Sequence, residues 1–119
     1  MHTNLIPFQV TNWQEIAATE HPGETGVAYW RTLQLGNLRV RMVEYSPRYK
    51  ADHWCQKGHL LFVLEGLLTT ELSDGSLFYM RPGMSYEVSD ELSSHRSFTE
   101  QGAKLLIIDG EFLAATTSN

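Results

Sequence analysis

Cysteine is almost absent from this chain. The single thiol, Cys55, rules out an internal disulfide, so it is buried and inert, reactive, or bound to something. Basic charge is also scarce. Nine Lys and Arg against fourteen Asp and Glu leave a formal net charge of -5, and the basic residues are scattered. That distribution excludes a phosphate-binding patch, and with it nucleic acid as a partner. No apolar run approaches the roughly 18 residues of a membrane span, so no membrane partner is expected. Sequence repeats, low-complexity tracts, charge runs and a visible linker are missing as well. The opening Met1-His2-Thr3-Asn4-Leu5-Ile6-Pro7 has neither a basic n-region nor a long apolar stretch, which reads as no secretory signal and a cytoplasmic location.

What is there belongs to an ordinary globular protein: 42% hydrophobic and 19% charged residues over 119 positions, enough for one real core and too few for two. One domain over residues 1–119 is expected, with an arm and short helix in 1–26, a β-barrel in 27–112 and a frayed, small and polar tail in 113–119. Asn12 can cap a short helix at Trp13, with Glu15 reaching back to the cap, and His21-Pro22-Gly23 ends that segment. From Val27 onward the period is that of strands. Val27–Leu35 and Leu38–Tyr45 flank a two-residue Gly36-Asn37 hairpin connection. In the second of these, Leu38, Val40 and Met42 share the face expected in the core, opposite Arg39, Arg41, Val43 and Tyr45.

Leu60-Leu61-Phe62-Val63-Leu64 is apolar throughout, as for a strand covered on both faces. Ser73-Asp74-Gly75 and Arg81-Pro82-Gly83 are turns, and short strands follow in 77–80, 84–88, 95–98 and 105–109. Short strands broken by turns every eight to twelve residues, with almost no helix, predict an all-β antiparallel sandwich or barrel.

Two imidazoles and the thiol fall within Asp52-His53-Trp54-Cys55-Gln56-Lys57-Gly58-His59. His53 and Cys55, two apart on an extended backbone, point to the same side. Gln56-Lys57-Gly58 supplies a turn from which His59 can face back, and a barrel can return His95 to the same place. Nitrogen and sulfur donors suit one divalent transition metal: zinc or iron first, then nickel or copper. Magnesium and calcium want oxygen ligands. Asp52, of opposite parity to His53, reads as an acceptor that orients a ligand imidazole.

The string His53-x-Cys55-x-x-x-His59, followed after six residues by Gly66, resembles the first motif of the cupin superfamily, His-x-His-x-x-x-Glu with six residues before a glycine. Cys55 stands at the second histidine and His59 at the glutamate. Of the second motif, Pro-x-Gly-x-x-His, His95 is present, with Asp90 and Leu92 in place of the proline and glycine. With Asp52-His53-Trp54-Cys55, the stretch 45–109 is most similar to small single-domain DHCW-motif cupins. The resemblance implies a double-stranded β-helix, or jelly-roll β-barrel, often homodimeric. It also implies a metal held by His53, Cys55, His59 and His95.

Arg31, Arg41 and Arg96 have the fork geometry to hold a carboxylate near the metal, although Arg41 lies opposite the apolar stripe and is expected at a solvent or dimer surface. Tyr45, Tyr86 and Trp54 read as packing first and substrate lining second. The functional expectation is a metal-dependent enzyme of oxygenase, isomerase or lyase type. It would act on a small polar metabolite inside the barrel, with Tyr86 or Arg96 as substrate contacts and no catalytic residue assigned. The alternative is a non-catalytic, metal-stabilised domain that binds a ligand or senses redox state.

Overall fold

The computed structural model describes residues 5–114, so His2, the first four residues and the tail from 115 onward lie outside the described residues. The strands are β1 (Thr19–Pro22), β2 (Val27–Leu35), β3 (Leu38–Tyr45), β4 (His59–Gly66), β5 (Leu68–Leu72), β6 (Leu77–Met80), β7 (Ser85–Val88), β8 (His95–Phe98) and β9 (Ala103–Gly110). They form a six-stranded sheet in the order β1-β2-β3-β9-β4-β7 and a three-stranded sheet in the order β6-β5-β8. All the pairings are antiparallel. No helix among the described residues is long and apolar enough to cross a membrane.

Local chemistry explains the boundaries. Leu35 pairs with Leu38 across Gly36-Asn37, and Gly36 takes the positive φ of 57° that a tight hairpin turn requires. At the β5-β6 turn Gly75 has φ 94°, its N–H donates to Leu72 O at 2.9 Å, and Asp74 Oδ1 accepts from the Ser76 N–H at 2.9 Å. The expected N-terminal helix is a single 3-10 turn, Trp13–Glu15, with Asn12 Oδ1 accepting from the Gln14 N–H at 3.1 Å. Beyond it the chain is strand: β1 pairs along β2, with His21 stacked on Trp30 at 3.6 Å between ring centroids.

The core lies between the two sheets. Val43 and Tyr45 from β3, Leu61 and Val63 from β4, and Leu105 and Ile107 from β9 meet Leu68 and Met80 from the smaller sheet. Each fully buried aliphatic side chain contributes about 1.5–3 kcal/mol.

Two expectations about faces are corrected here. In β3 the interior face is that of Arg41, Val43 and Tyr45, whereas Leu38, Val40 and Met42 are only half-buried on the other. The arginines are tolerated inside because β9 supplies a buried carboxylate in register, Arg39 opposite Asp109. In β4 only one face is covered: Leu61 and Val63 are buried, but Phe62 and Leu64 are 37% and 42% exposed. A sheet whose helix-free outer side meets no second layer leaves that side open.

Candidate metal centre

Four strands and one loop build the site. Strand parity sends Arg39 and Arg41 inward from β3, His59 from β4, His95 from β8 and Asp109 from β9. The loop before β4 is anchored to β8 by an isolated antiparallel bridge between Cys55 and His95. In that bridge the Cys55 N–H donates to His95 O at 2.8 Å and the His95 N–H returns a bond to Cys55 O at 3.0 Å. The backbone therefore places the thiol beside the imidazole before any metal acts.

Cys55, His59 and His95 offer ligand atoms that all lie within 4.8 Å of one another. The two Nε2 atoms are 2.9 Å apart. At His95, Nδ1 is 2.9 Å from Ser93 O, which can only accept, so the proton sits on Nδ1 and the Nε2 lone pair points into the cluster. His59 Nδ1 is buried without a hydrogen-bond partner among the described residues and faces Asp109 Oδ2 at 3.8 Å. Burial pulls His59 down, but Asp109 and Cys55 outweigh it and raise its pKa. The adjoining His59 and His95 imidazoles lower the Cys55 thiol to about 5 against the opposing effect of burial. A thiolate and two imidazoles, one with its second nitrogen held by a backbone carbonyl and the other with its second nitrogen turned toward a carboxylate, are the donor chemistry of a zinc or iron site.

His53 is not brought into this cluster. Its side chain is 75% exposed, and Asp52 Oδ1 lies 2.6 Å from its Nδ1. The extended parity that puts His53 and Cys55 on one side does not carry through this loop. Between Asp52 and Gly58 the bridge to β8 is made at Cys55, and His53 has none among the described residues. His53 does line the cavity onto which the three donors open.

That cavity has a volume of about 190 Å³. Trp30, Tyr45, Tyr49 and Tyr86 form aromatic walls, Arg39, Arg41, Lys57 and Arg96 supply positive charge, and no carboxylate side chain lines it among the described residues. Tyr86 packs edge-on to His95 at 5.4 Å, and burial holds its hydroxyl protonated. Arg96 donates to Glu71 Oε1 at 3.0 Å and lies over Trp54 at 4.4 Å. Arg31 is elsewhere: its guanidinium donates to the carbonyls of Trp13 and Ile16 and fixes the N-terminal turn, which removes it from the carboxylate-binding candidates.

Arg41 is the larger correction. It is 4% exposed, lies over Trp30 at 4.4 Å and donates through Nη2 to Asp109 Oδ2 at 2.9 Å. Arg39 holds the same carboxylate through two bonds of 2.9 Å. The sequence places Asp109 at the end of a strand and does not mark it as a site residue. Its signal was parity: Leu105, Ile107 and Asp109 share one face of β9, and the first two are apolar.

The chain matches no family model and no curated protein. Solved structures do match it in shape. An RmlC-like cupin from Shewanella frigidimarina superposes with a TM-score of 0.68 at 15% identity, covering 87% of this chain and 90% of that one. A protein described as a sugar phosphate isomerase from a cupin superfamily, from Silicibacter pomeroyi, gives 0.66 at 17% identity, covering 84% and 74%. Ectoine synthase from P. lautus gives 0.68 at 14%, covering 85% and 76%. At these identities the shared property is the fold, and the chain has the jelly-roll fold of the cupin superfamily.

Proposed function

We propose that this cupin-fold chain is a metal-dependent enzyme of isomerase, lyase or oxygenase type, holding one divalent transition metal, zinc or iron, through Cys55, His59 and His95. The observation that carries the reading is the count of donors: three converge beside an aromatic, basic cavity, and three protein ligands leave a position for substrate where four would close a structural site. Similarity to solved proteins named as a sugar phosphate isomerase and as ectoine synthase supports a small-metabolite substrate.

In this reading the metal supplies a Lewis acid or a redox centre when bound. The chain's own residues do the rest. Asp109 orients His59 from its Nδ1 side, and the Ser93 carbonyl keeps the His95 lone pair on Nε2. Tyr86 offers a neutral hydroxyl in the cavity wall, and Arg96, braced by Glu71, lines the same space as a substrate contact. His53, with Nδ1 held by Asp52, keeps Nε2 for a looser contact with substrate or metal. A thiolate ligand suits a reducing, cytoplasmic setting. The exposed Phe62 and Leu64 suit burial against a second copy in a homodimer.

Elemental analysis of protein purified without a histidine tag tests the proposal. One zinc or iron per chain, exchangeable in the folded state and lost in Cys55→Ala, is the expected result. A metal released only on unfolding would support the rival class instead, a non-catalytic domain whose metal stabilises the fold while it binds a ligand or senses redox state. The low pKa of Cys55 is the feature that favours that second class.

A further inference from the structure

A second space shares two walls, Tyr86 and His95, with the donor cavity. Its volume is about 220 Å³, and Leu72, Phe78, Met80 and Val88 complete its apolar lining. Pairing explains why these side chains turn inward. Cross-strand partners share a face, and Val88 and Tyr86 of β7 stand opposite the buried His59 and Leu61, Met80 and Phe78 of β6 opposite the buried Leu68 and Thr70, and Leu72 of β5 opposite His95. The space therefore lies between the two sheets. Three polar neighbours are engaged elsewhere. The Thr70 hydroxyl donates to Met80 Sδ at 3.4 Å, the Ser93 carbonyl is held by His95 Nδ1, and the Glu87 carboxylate, which alternation puts on the other face of β7, accepts from the Ser85 hydroxyl. Packed interiors leave few voids larger than a water, and a water needs two to four polar partners that this wall does not supply.

We propose that this space is a subsite for a single aromatic ring, carried by a ligand whose polar end meets the metal donors, a reading that rests on the proposed function and narrows its substrate class to small aryl metabolites. Shape and chemistry both select a ring. Phe78, Tyr86 and His95 offer aromatic edges and faces, Tyr86 already packs edge-on to His95 at 5.4 Å, and the Met80 sulfur is a favourable neighbour for a ring edge. An apolar cavity of about 150 Å³ admits benzene, so the larger volume here takes one ring and a short substituent. Phe78 is 51% exposed, which gives the ring a route in from solvent. His95 joins the two spaces: a ring packed against its imidazole is one residue away from the metal, and a short link reaches the donors.

The test uses the full chain, metal-free and zinc-loaded, with benzyl alcohol as the ring probe, cyclohexanol as an aliphatic ring of similar size and glycerol as a polar control. In the unaltered metal-free protein the Met80 methyl resonance, identified by its loss in Met80→Leu, should shift with benzyl alcohol at lower concentration than with cyclohexanol, and stay still with glycerol. Val88→Phe, which fills the space, should weaken benzyl alcohol binding by about tenfold. In zinc-loaded protein phenylacetohydroxamate should bind at least about tenfold tighter than acetohydroxamate, and Val88→Phe should erase that ratio. A Met80 methyl unmoved at saturating benzyl alcohol, preference for cyclohexanol, a shift with glycerol, or equal affinity for the two hydroxamates would each overturn the proposal. Failure to bind zinc would remove the enzyme reading, while the benzyl alcohol titration still decides the ring site. Bound zinc with a silent Met80 methyl would remove the ring site and spare the enzyme.

Discussion

Cys55 and His95 exchange two backbone hydrogen bonds, 2.8 and 3.0 Å, across a bridge that joins a loop to a strand forty residues later in the chain. A main-chain clamp of this kind sets the thiol against the imidazole whether or not a metal is present. The centre is pre-organised, and its binding energy is not spent on gathering ligands.

The ligand set can be ranked by substitution. His59→Ala and His95→Ala should each weaken zinc binding by about tenfold or more, because each removes a nitrogen that already faces the cluster. His53→Ala should weaken it by a smaller factor, since His53 projects toward solvent. Titration of the three apo variants against a chromophoric zinc chelator gives the order. Equal losses for all three would restore His53 as a full ligand.

The thiol has its own signature. In metal-free protein Cys55 is held at about 5 by His59 and His95, so its alkylation by iodoacetamide should rise with pH through that value. An ordinary cysteine rises near 8.5. Metal affinity should fall as pH drops through the same region, because the thiol must lose its proton to bind. In His59→Ala the alkylation profile should move to higher pH. A profile that is unchanged in that variant would separate the thiol from the imidazole.

Asp109 links stability to pH. Burial pushes its carboxyl up, but His59 and the two guanidiniums prevail and hold it well below the usual range. A carboxylate depressed in the folded state contributes fully above the unfolded value of about 3.9, and its contribution drains away as pH falls from there toward the folded value. Urea midpoints of the wild type should therefore drop between about pH 5 and pH 2 more steeply than those of Asp109→Asn. At neutral pH, Asp109→Ala should cost about 3 kcal/mol or more, since it strands Arg41 in the interior.

Two glycines separate backbone strain from collision. Gly75→Val should cost about 1 kcal/mol, purely for its positive φ, because nothing lies within 4 Å of the added Cβ. Gly66→Ala should cost more than Gly75→Ala. It combines a φ of 81° with a clash against the carbonyl oxygen of Gly102. Thermal melts of the three variants check the order, and a harmless Gly66→Ala would contradict the close approach of β4 to the turn before β9.

Much of the architecture was legible because it is local. The Gly36-Asn37 and Asp74-Gly75 turns, the alternation of β2 and β3 and the all-apolar run of β4 each follow from a handful of adjacent residues. β1 escaped notice because Thr19-Glu20-His21-Pro22 has no apolar alternation, and its strand is secured by pairing with β2 and by the His21 ring on Trp30. The spacing of Cys55 and His59 pointed to nitrogen and sulfur donors, yet it could not show that His53 turns outward.

By itself the amino-acid sequence determined the antiparallel β class, the turns and the chemistry of the donors, since side-chain alternation, glycine φ and ligand softness are properties of short segments. Only the tertiary structure decided which face of β3 is interior. Counting apolar residues favours Leu38, Val40 and Met42, but Asp109 stands in register with Arg39 from seventy residues away and makes the arginine face the one that can be buried. The same long-range pairing set Arg41 in the interior beside the donors. An isolated strand has two faces of similar cost, and its partners choose between them.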